Sequence, residues 1–231
     1  MCTSFIKKTT DNFYIGMNFD NNGMNFSINT KYKDWFIVFI DAQKNKFPSF
    51  GIHKSGVFFN NLLVESNGKG GYRRSSQLTH TTKFLKEIID GKVNVENLND
   101  FLAQTEIVNV PGWSTHNMIT TPLGNVWVIE LGRGNLYVEL KPGESQILTN
   151  VSLIDAGDPE IIRCQRYNKA KELLENENLF GVAEAFKVLE EVKQNDGDWI
   201  TDFSMVFDKN ARVVYYTENQ DFQKIDKYIF C

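Results

Sequence analysis

Apolar and polar residues alternate along much of the first third of the chain. Phe13-Tyr14-Ile15-Gly16-Met17-Asn18-Phe19 reads as a strand, and Met24 to Thr30 alternates through Met24, Phe26 and Ile28. A period of two marks a strand with one buried face, whereas the near-continuous apolar run from Asp34 to Ile40 suits a strand covered on both faces. Asn21-Asn22-Gly23 predicts a hairpin turn between the first two of these strands, because Asn and Gly tolerate positive φ. Gly56 to Val64 is a further strand, dense in Val57, Phe58, Phe59, Leu62 and Leu63.

The period then changes. Ser66 to Ser76 is a polar, glycine-bearing loop, and Leu78, Thr81, Leu85 and Ile88 recur at spacings of three and four. That pattern predicts a helix over 76–90, with Ser76 as N-cap and Gly91 as its stop. A second short helix carries Leu98, Phe101 and Leu102, with Asn94 as its cap. Strands return at His116 to Thr121, Asn125 to Leu131 and Asn135 to Leu140, joined by Pro122-Leu123-Gly124 and Gly132-Arg133-Gly134. These joints predict a meander. Gln146 to Thr149 is one more short strand. Asp158-Pro159 is a helix start, since proline lacks only an N–H that the first turn leaves unpaired anyway. Val182, Phe186, Leu189 and Val192 form one stripe of a helix over 181–194. Trp199 to Phe207, Arg212 to Thr217 and Gln223 to Phe230 close the chain as strands.

Strands, two helices, strands, two helices and strands follow one another in segregated runs, which predicts an α+β fold rather than alternating βαβ units. Two antiparallel sheets stacked face to face, each covered by a helix pair, would use every element. No linker or repeat interrupts the order, so one domain over 1–231 is expected. The 231 residues are 42% hydrophobic and 23% charged, ample for a full core. The net charge of −4 argues against a nucleic-acid or anionic-membrane binder. Trp35 to Ile40 is far shorter than the about 20 apolar residues a membrane-crossing helix needs. No basic, then apolar, leader is visible, so the expected compartment is the cytoplasm. The three cysteines, Cys2, Cys164 and Cys231, form neither a disulfide framework nor a zinc-ligand spacing. Gly68-Lys69-Gly70-Gly71 lacks the spacing of a phosphate-binding loop, and nothing calls for a metal or organic cofactor.

The address of Cys2 carries more information than the cysteine count. Removal of Met1 would leave a residue holding both a thiol and a free α-amine, with reference pKa values of about 8.5 and about 7.7–8.0. A nucleophile and a matched base on one residue are the minimal apparatus for attack on an amide. Gly16-Met17-Asn18-Phe19-Asp20 ends the second strand, and antiparallel pairing with the first would bring Asp20 to the chain start. Cys164, on a predicted helix among apolar neighbours, reads as a buried structural thiol.

Met1-Cys2-Thr3-Ser4-Phe5 followed by Gly16-Met17-Asn18-Phe19-Asp20 resembles the opening of the choloylglycine hydrolase and penicillin V acylase family. These are cysteine N-terminal-nucleophile (Ntn) hydrolases of linear amides. Gly51-Ile52-His53-Lys54-Ser55-Gly56, Ile147-Leu148-Thr149-Asn150 and Gln165-Arg166-Tyr167 resemble further family segments in the same order. The resemblance implies a four-layer αββα sandwich and a hydrolase acting on C–N bonds other than peptide bonds. It gives Cys2 as nucleophile, its α-amine as base and Asp20 as the carboxylate orienting that amine. Asn150 would hold the tetrahedral intermediate, and Arg166 would lie close to the nucleophile. A further site asparagine is either Asn61 or its neighbour Asn60. The implied partner is a small acyl-amide substrate.

Two departures qualify this reading. The family's arginine in Gly-Arg-Asn-x-Asp is Met17 here, which removes a positive charge from beside the thiol. Only 15 residues separate Asn150 from Arg166, a stretch that in bile salt hydrolases is longer and carries an extension used in assembly. A homo-oligomer stays open, but without that extension. The expected activity is amide hydrolysis through a Cys2 acyl-thioester. An acyltransferase, or a catalytically weak ligand-binding protein suggested by Met17, are the alternatives.

Overall fold

The computed structural model describes residues 2–29, 31–42, 45–155, 163–176, 179–195 and 197–231. In chain order the strands begin with β1 (Cys2–Lys8), β2 (Phe13–Asn21), β3 (Phe26–Asn29), β4 (Trp35–Ala42), β5 (Asn45–His53), β6 (Phe58–Asn60), β7 (Leu62–Leu63) and β8 (Leu78–His80). They continue with β9 (Glu106–Val108), β10 (Thr115–Thr120), β11 (Val126–Glu130), β12 (Gly134–Val138), β13 (Ser145–Leu148), β14 (Ile200–Asp208), β15 (Val213–Glu218) and β16 (Asp226–Ile229). The α-helices are α1 (Thr81–Ile89), α2 (Leu98–Gln104), α3 (Gln165–Asn176) and α4 (Val182–Glu191). Segregated strands and helices make the chain α+β, as the sequence predicts. The helix start expected at Asp158-Pro159 lies outside the described residues.

Backbone packing divides the chain into two compact units, Met1–Met24 with Val138–Cys231, and Asn25–Tyr137. The first unit holds a six-stranded sheet in the order β13-β1-β2-β14-β15-β16, and the second an eight-stranded sheet whose main path is β12-β11-β10-β6-β5-β4-β3.

In the first unit β1 and β2 pair antiparallel, Cys2 opposite Phe19 and Phe5 opposite Gly16. Phe5 joins a core with Ala170 and Leu174 of α3, and with Ala185, Val188 and Leu189 of α4. Complete burial of a side chain such as Phe5 or Leu189 contributes about 1.5–3 kcal/mol. A Cβ at Gly16 would collide with the Phe5 ring, so only glycine lets that ring lie across the neighbouring strand. Period two then sets the rest of β2. Gly16, Asn18 and Asp20 share the helix-covered face, while Met17 and Phe19 share the opposite face with Cys2. Asn18 confirms the assignment: its Nδ2 donates to the Leu189 carbonyl at 2.8 Å and its Oδ1 accepts from Ser204 Oγ at 2.7 Å. Helix α3 is tied to β1 near both ends. Buried Lys7 donates to the Leu174 carbonyl at 2.7 Å, and Arg166 donates to the Cys2 carbonyl at 2.8 Å.

The second unit repeats the scheme. Trp35, Ile37, Phe59, Ile119, Trp127 and Ile129 of the sheet pack against Phe84, Leu85, Ile88 and Leu98 of α1 and α2. Gly51 lies opposite Phe59, and a Cβ there would stand 2.8 Å from the Phe59 ring.

Four local expectations are corrected. Asn21-Asn22-Gly23 does not close a hairpin, because β2 belongs to the six-stranded sheet and β3 to the eight-stranded one. The turn is held by Asn21, whose Oδ1 accepts from the Asn22 and Met24 N–H groups and whose Nδ2 donates to Asp202 Oδ2 at 2.8 Å. The first helix starts at Thr81 with His80 as N-cap, not at Ser76, since Leu78–His80 pairs with Glu106–Val108 in a parallel two-stranded ladder. Strand β5 has no counterpart in the sequence reading, and Pro48 lies within it. The register of β4 against β5 shifts there, Val38 opposite Phe50 and Phe39 opposite Pro48, and the irregularity accommodates the missing donor. Asn94 caps a 3₁₀ turn over Val95–Asn97, accepting from the Glu96 N–H at 3.0 Å, and α2 follows directly.

Candidate active site

The first unit brings Cys2, Asp20, Asn150 and Arg166 together. Strand pairing explains the first two, because Cys2 sits opposite Phe19 and Asp20 is the next residue. Cys2 Sγ lies 3.8 Å from the Asp20 carbonyl oxygen. Asn150 follows directly on β13 and Thr149, and β13 pairs with β1 on its other side. Arg166 is in the first turn of α3.

The main chain of Cys2 is held from both sides. Its N–H donates to Asn150 Oδ1 at 2.7 Å, and its carbonyl accepts from Arg166 Nη1 at 2.8 Å. Arg166 Nη1 also donates to Thr3 Oγ1 at 3.0 Å and lies 3.5 Å from Asp20 Oδ2, while Nη2 donates to Asn150 Oδ1 at 3.0 Å. Two donors converging on one atom fix the orientation of the Asn150 amide, so the donor that side chain can offer is Nδ2. Asp20 Oδ1 accepts a 2.5 Å hydrogen bond from Thr201 Oγ1.

Burial dominates the electrostatics. Cys2 is 8% exposed, and its thiol is pushed up to about 12. Desolvation is the main cause and the Asp20 carboxylate adds to it; the charge at the chain start, the Asp20 carbonyl and Arg166 act the other way. Asp20 is raised to about 6, again chiefly by desolvation, with Asp202 adding to the rise. The Thr201 hydrogen bond, Arg166 and the charge at the chain start favour its ionised form. At neutral pH the site therefore holds a thiol, a carboxylate within one pH unit or so of its titration, and a guanidinium committed to backbone and amide oxygens. Met17 is fully buried and paired with Ser4 and Met205. Its side chain occupies the same sheet face as Cys2, where it supplies no charge.

Asn60 and Asn61 belong to the second unit, and their hydrogen bonds separate them. Asn60 is fully buried; its Oδ1 accepts from the Met118 N–H at 2.7 Å and its carbonyl from Asn117 Nδ2 at 2.7 Å. That is a clamp between β6 and β10. Asn61 is half-buried, with its Oδ1 held by Asn117 Nδ2 at 3.1 Å and Thr81 Oγ1 at 3.5 Å. Cys164 differs from its expected role. Helix α3 begins at Gln165, so this thiol stands just ahead of the helix and is half-buried, with Sγ 3.5 Å from Thr149 Oγ1. Thr3, quoted in the opening segment without a role of its own, and Thr201, which no motif marks, also belong to the polar cluster. Among the described residues, no group of His, Cys, Asp or Glu is arranged to hold a metal ion, and no helix is long and apolar enough to cross a membrane.

No protein-family profile matches the sequence, and no curated protein matches it significantly. Solved structures do. Conjugated bile acid hydrolase from Clostridium perfringens superposes with a TM-score of 0.70 at 14% identity, covering 99% of this chain and 92% of that one. Penicillin V acylase from Agrobacterium tumefaciens gives a TM-score of 0.67 at 14% identity, covering 95% and 83%. The Caenorhabditis elegans ortholog of N-acylethanolamine-hydrolyzing acid amidase gives 0.63 at 12% identity, covering 89% and 92%. All three are Ntn hydrolases, and the chain shares their fold over nearly its whole length.

Proposed function

We propose that the chain is a cysteine Ntn amidase that hydrolyses a linear, non-peptide C–N amide bond through Cys2. The observation that carries this reading is the two-sided hold on Cys2, with Asn150 on its nitrogen at 2.7 Å and Arg166 on its carbonyl at 2.8 Å. A residue that served only as strand would need neither. The three solved relatives are named for acting on amides of quite different acyl groups, so the bond type is the common element.

With burial pushing its thiol up to about 12, Cys2 is a neutral thiol at pH 7. Attack therefore needs a base that takes the proton as the sulfur–carbon bond forms. Loss of Met1 turns the Cys2 nitrogen into an α-amine suited to this, with Asn150 Oδ1 accepting one of its protons. The carbonyl oxygen of the substrate becomes an oxyanion, for which Asn150 Nδ2 is the donor on this strand pair. One such donor is typically worth about 2.7–4 kcal/mol of barrier. The tetrahedral adduct collapses, its C–N bond breaks, and the α-ammonium returns the proton to the leaving amine. Water then adds to the thioester with the α-amine again as base, and the acid leaves. An amine in place of that water would make the same chemistry an acyl transfer.

The test is release of amine from a panel of chromogenic acyl amides by wild type, Cys2→Ser and Cys2→Ala. Turnover by wild type and none by Cys2→Ala is expected. Turnover that survives Cys2→Ala would exclude this mechanism, and no turnover by processed wild type would favour a ligand-binding protein of the same fold.

A further inference from the structure

Thr201 and Asp20 are 181 residues apart in sequence yet share the shortest polar contact on the helix-covered side of the site, 2.5 Å from Oγ1 to Oδ1. Both are buried, Thr201 at 0% exposure and Asp20 at 1%. The hydroxyl has little freedom. Its oxygen accepts the Gln194 N–H at 2.8 Å, while the Thr201 N–H donates to the Gln194 carbonyl at 2.8 Å. The lone pair facing Gln194 is thereby engaged, and the hydroxyl proton is directed at the carboxylate.

The strand is shaped to allow this. Pairing of β14 with β2 is regular from Phe203 onward but shifts between Thr201 and Phe203, placing Thr201 opposite Asp20 and leaving Asp202 as the extra residue. Bulges next to functional sites re-aim side chains. Here the bulge aims Thr201 at Asp20 and lets Asp202 Oδ2 accept from Asn21 Nδ2 at 2.8 Å.

We propose that Thr201 is a positioning residue for the proposed amidase: its hydroxyl, oriented by Gln194 and the β14 bulge, fixes the rotamer of Asp20 and keeps it an anion beside the nucleophile. This deepens the proposed function and rests on it for its catalytic consequence, although the Thr201–Asp20 link stands by itself. The other groups acting on Asp20 are Arg166 from α3, the terminal ammonium of the chain that still carries Met1, and Asp202 from β14. The first two favour the anion and Asp202 opposes it. A donor to the carboxylate stabilises the ionised form, so losing the hydroxyl must raise the pH at which Asp20 becomes charged.

The experiment compares wild type, Thr201→Val and Thr201→Ser in two ways. Carboxylate ¹³C NMR titration reads Asp20 directly, its signal assigned by its loss in Asp20→Asn, and kcat/KM against pH reads the acid limb of activity. Wild type is expected to titrate near 6. Thr201→Val should move both midpoints upward by about one pH unit, the scale of one charge-assisted hydrogen bond, and Thr201→Ser should restore them. If Thr201→Val does not fold, Thr201→Ala removes the same hydroxyl and takes its place. An Asp20 midpoint that coincides in wild type and the hydroxyl-less variant overturns the proposal. So does a shifted Asp20 midpoint with an unmoved acid limb in active enzyme. A shifted midpoint in a wild type without Cys2-dependent turnover supports the positioning and overturns the amidase reading instead.

Discussion

Among the described residues, each unit buries one carboxylate beside a basic side chain, and the two pairs are built differently. In the second unit Glu130 Oε1 lies 3.2 Å from His116 Nδ1, both side chains are fully buried, and the residues face each other across β10 and β11. In the first unit Asp20 stands 3.5 Å from an Arg166 whose side chain is 16% exposed and whose shorter bonds go to Cys2, Thr3 and Asn150. Glu130 and His116 form a cross-strand contact inside one sheet. Asp20 instead shares Arg166 with the backbone of Cys2, and its own shortest bond comes from an uncharged hydroxyl. The contrast teaches that burying a carboxylate beside a basic side chain is not what marks a site. What marks it is a carboxylate left imperfectly compensated next to a reactive atom, with its titration lifted toward neutrality.

Breaking each pair in turn tests that contrast. Asp20→Asn keeps the shape and removes the charge that would orient the α-amine, so amidase activity should fall by about 10²–10⁴-fold, the range typical of general acid–base assistance. His116→Ala should cost about 1–3 kcal/mol of stability, because it removes one hydrogen-bond partner of the buried Glu130 side chain. It should nevertheless leave the acid limb of activity where it was. Urea unfolding and a pH–rate profile of the two variants check this, and a displaced acid limb in His116→Ala would end the distinction between the two carboxylates.

Stability should also separate them, with opposite sign. The folded protein holds Asp20 near 6 against an ordinary value of 3.8, so between these pH values the folded state binds the extra proton. The contribution is neutral below about 4, turns unfavourable as pH rises through the window, and is fully unfavourable above about 6, by about 3 kcal/mol at most. Asp20→Asn should therefore be more stable than wild type at pH 7, and the difference should close by pH 4. Equal stability at pH 7 would mean that Arg166 and Thr201 compensate the buried charge completely. The smallest effects are expected where the units are alike. Gly16→Ala and Gly51→Ala each push a Cβ into a phenylalanine ring, Phe5 and Phe59, and each should cost about 1–3 kcal/mol of overpacking. Gly16→Ala should be the worse of the two, since its clash is closer, and thermal unfolding of the two variants ranks them.

Much of this architecture is legible in the sequence because it is local. The stripe of Val182, Phe186, Leu189 and Val192 is a helix face wherever the helix lies, and the alternation in β2 places Asp20 near Cys2 once the first two strands pair. What escapes is what depends on a distant partner. The Asn21 turn is correctly read as a turn, yet its side-chain bonds cannot reveal that the next strand joins another sheet. The span from Leu78 to His80 carries helix-compatible spacing and becomes a strand because Glu106–Val108 lies beside it. Strand β5 escapes because Pro48 interrupts it, and its pairing with β4 continues only through the register shift at Ser49. In the candidate site, Cys2, Asp20, Asn150 and Arg166 sit in recognisable segments, whereas Thr201 has no motif and meets Asp20 only through a register shift. Asn60 and Asn61 look equivalent in sequence and separate only by the groups that hold their oxygens.

The central claim is that the Cys2 thiol is the acyl carrier once Met1 is removed. Intact-mass analysis of the purified protein, followed by brief incubation with a mixed library of acyl amides, acid quench and peptide mapping, tests it most directly. The account predicts a chain that has lost Met1 and gains the mass of one acyl group, mapped to Cys2 and absent from Cys2→Ala. A chain that keeps Met1 while turning over amides, or an acyl group mapped to any other residue, would contradict it.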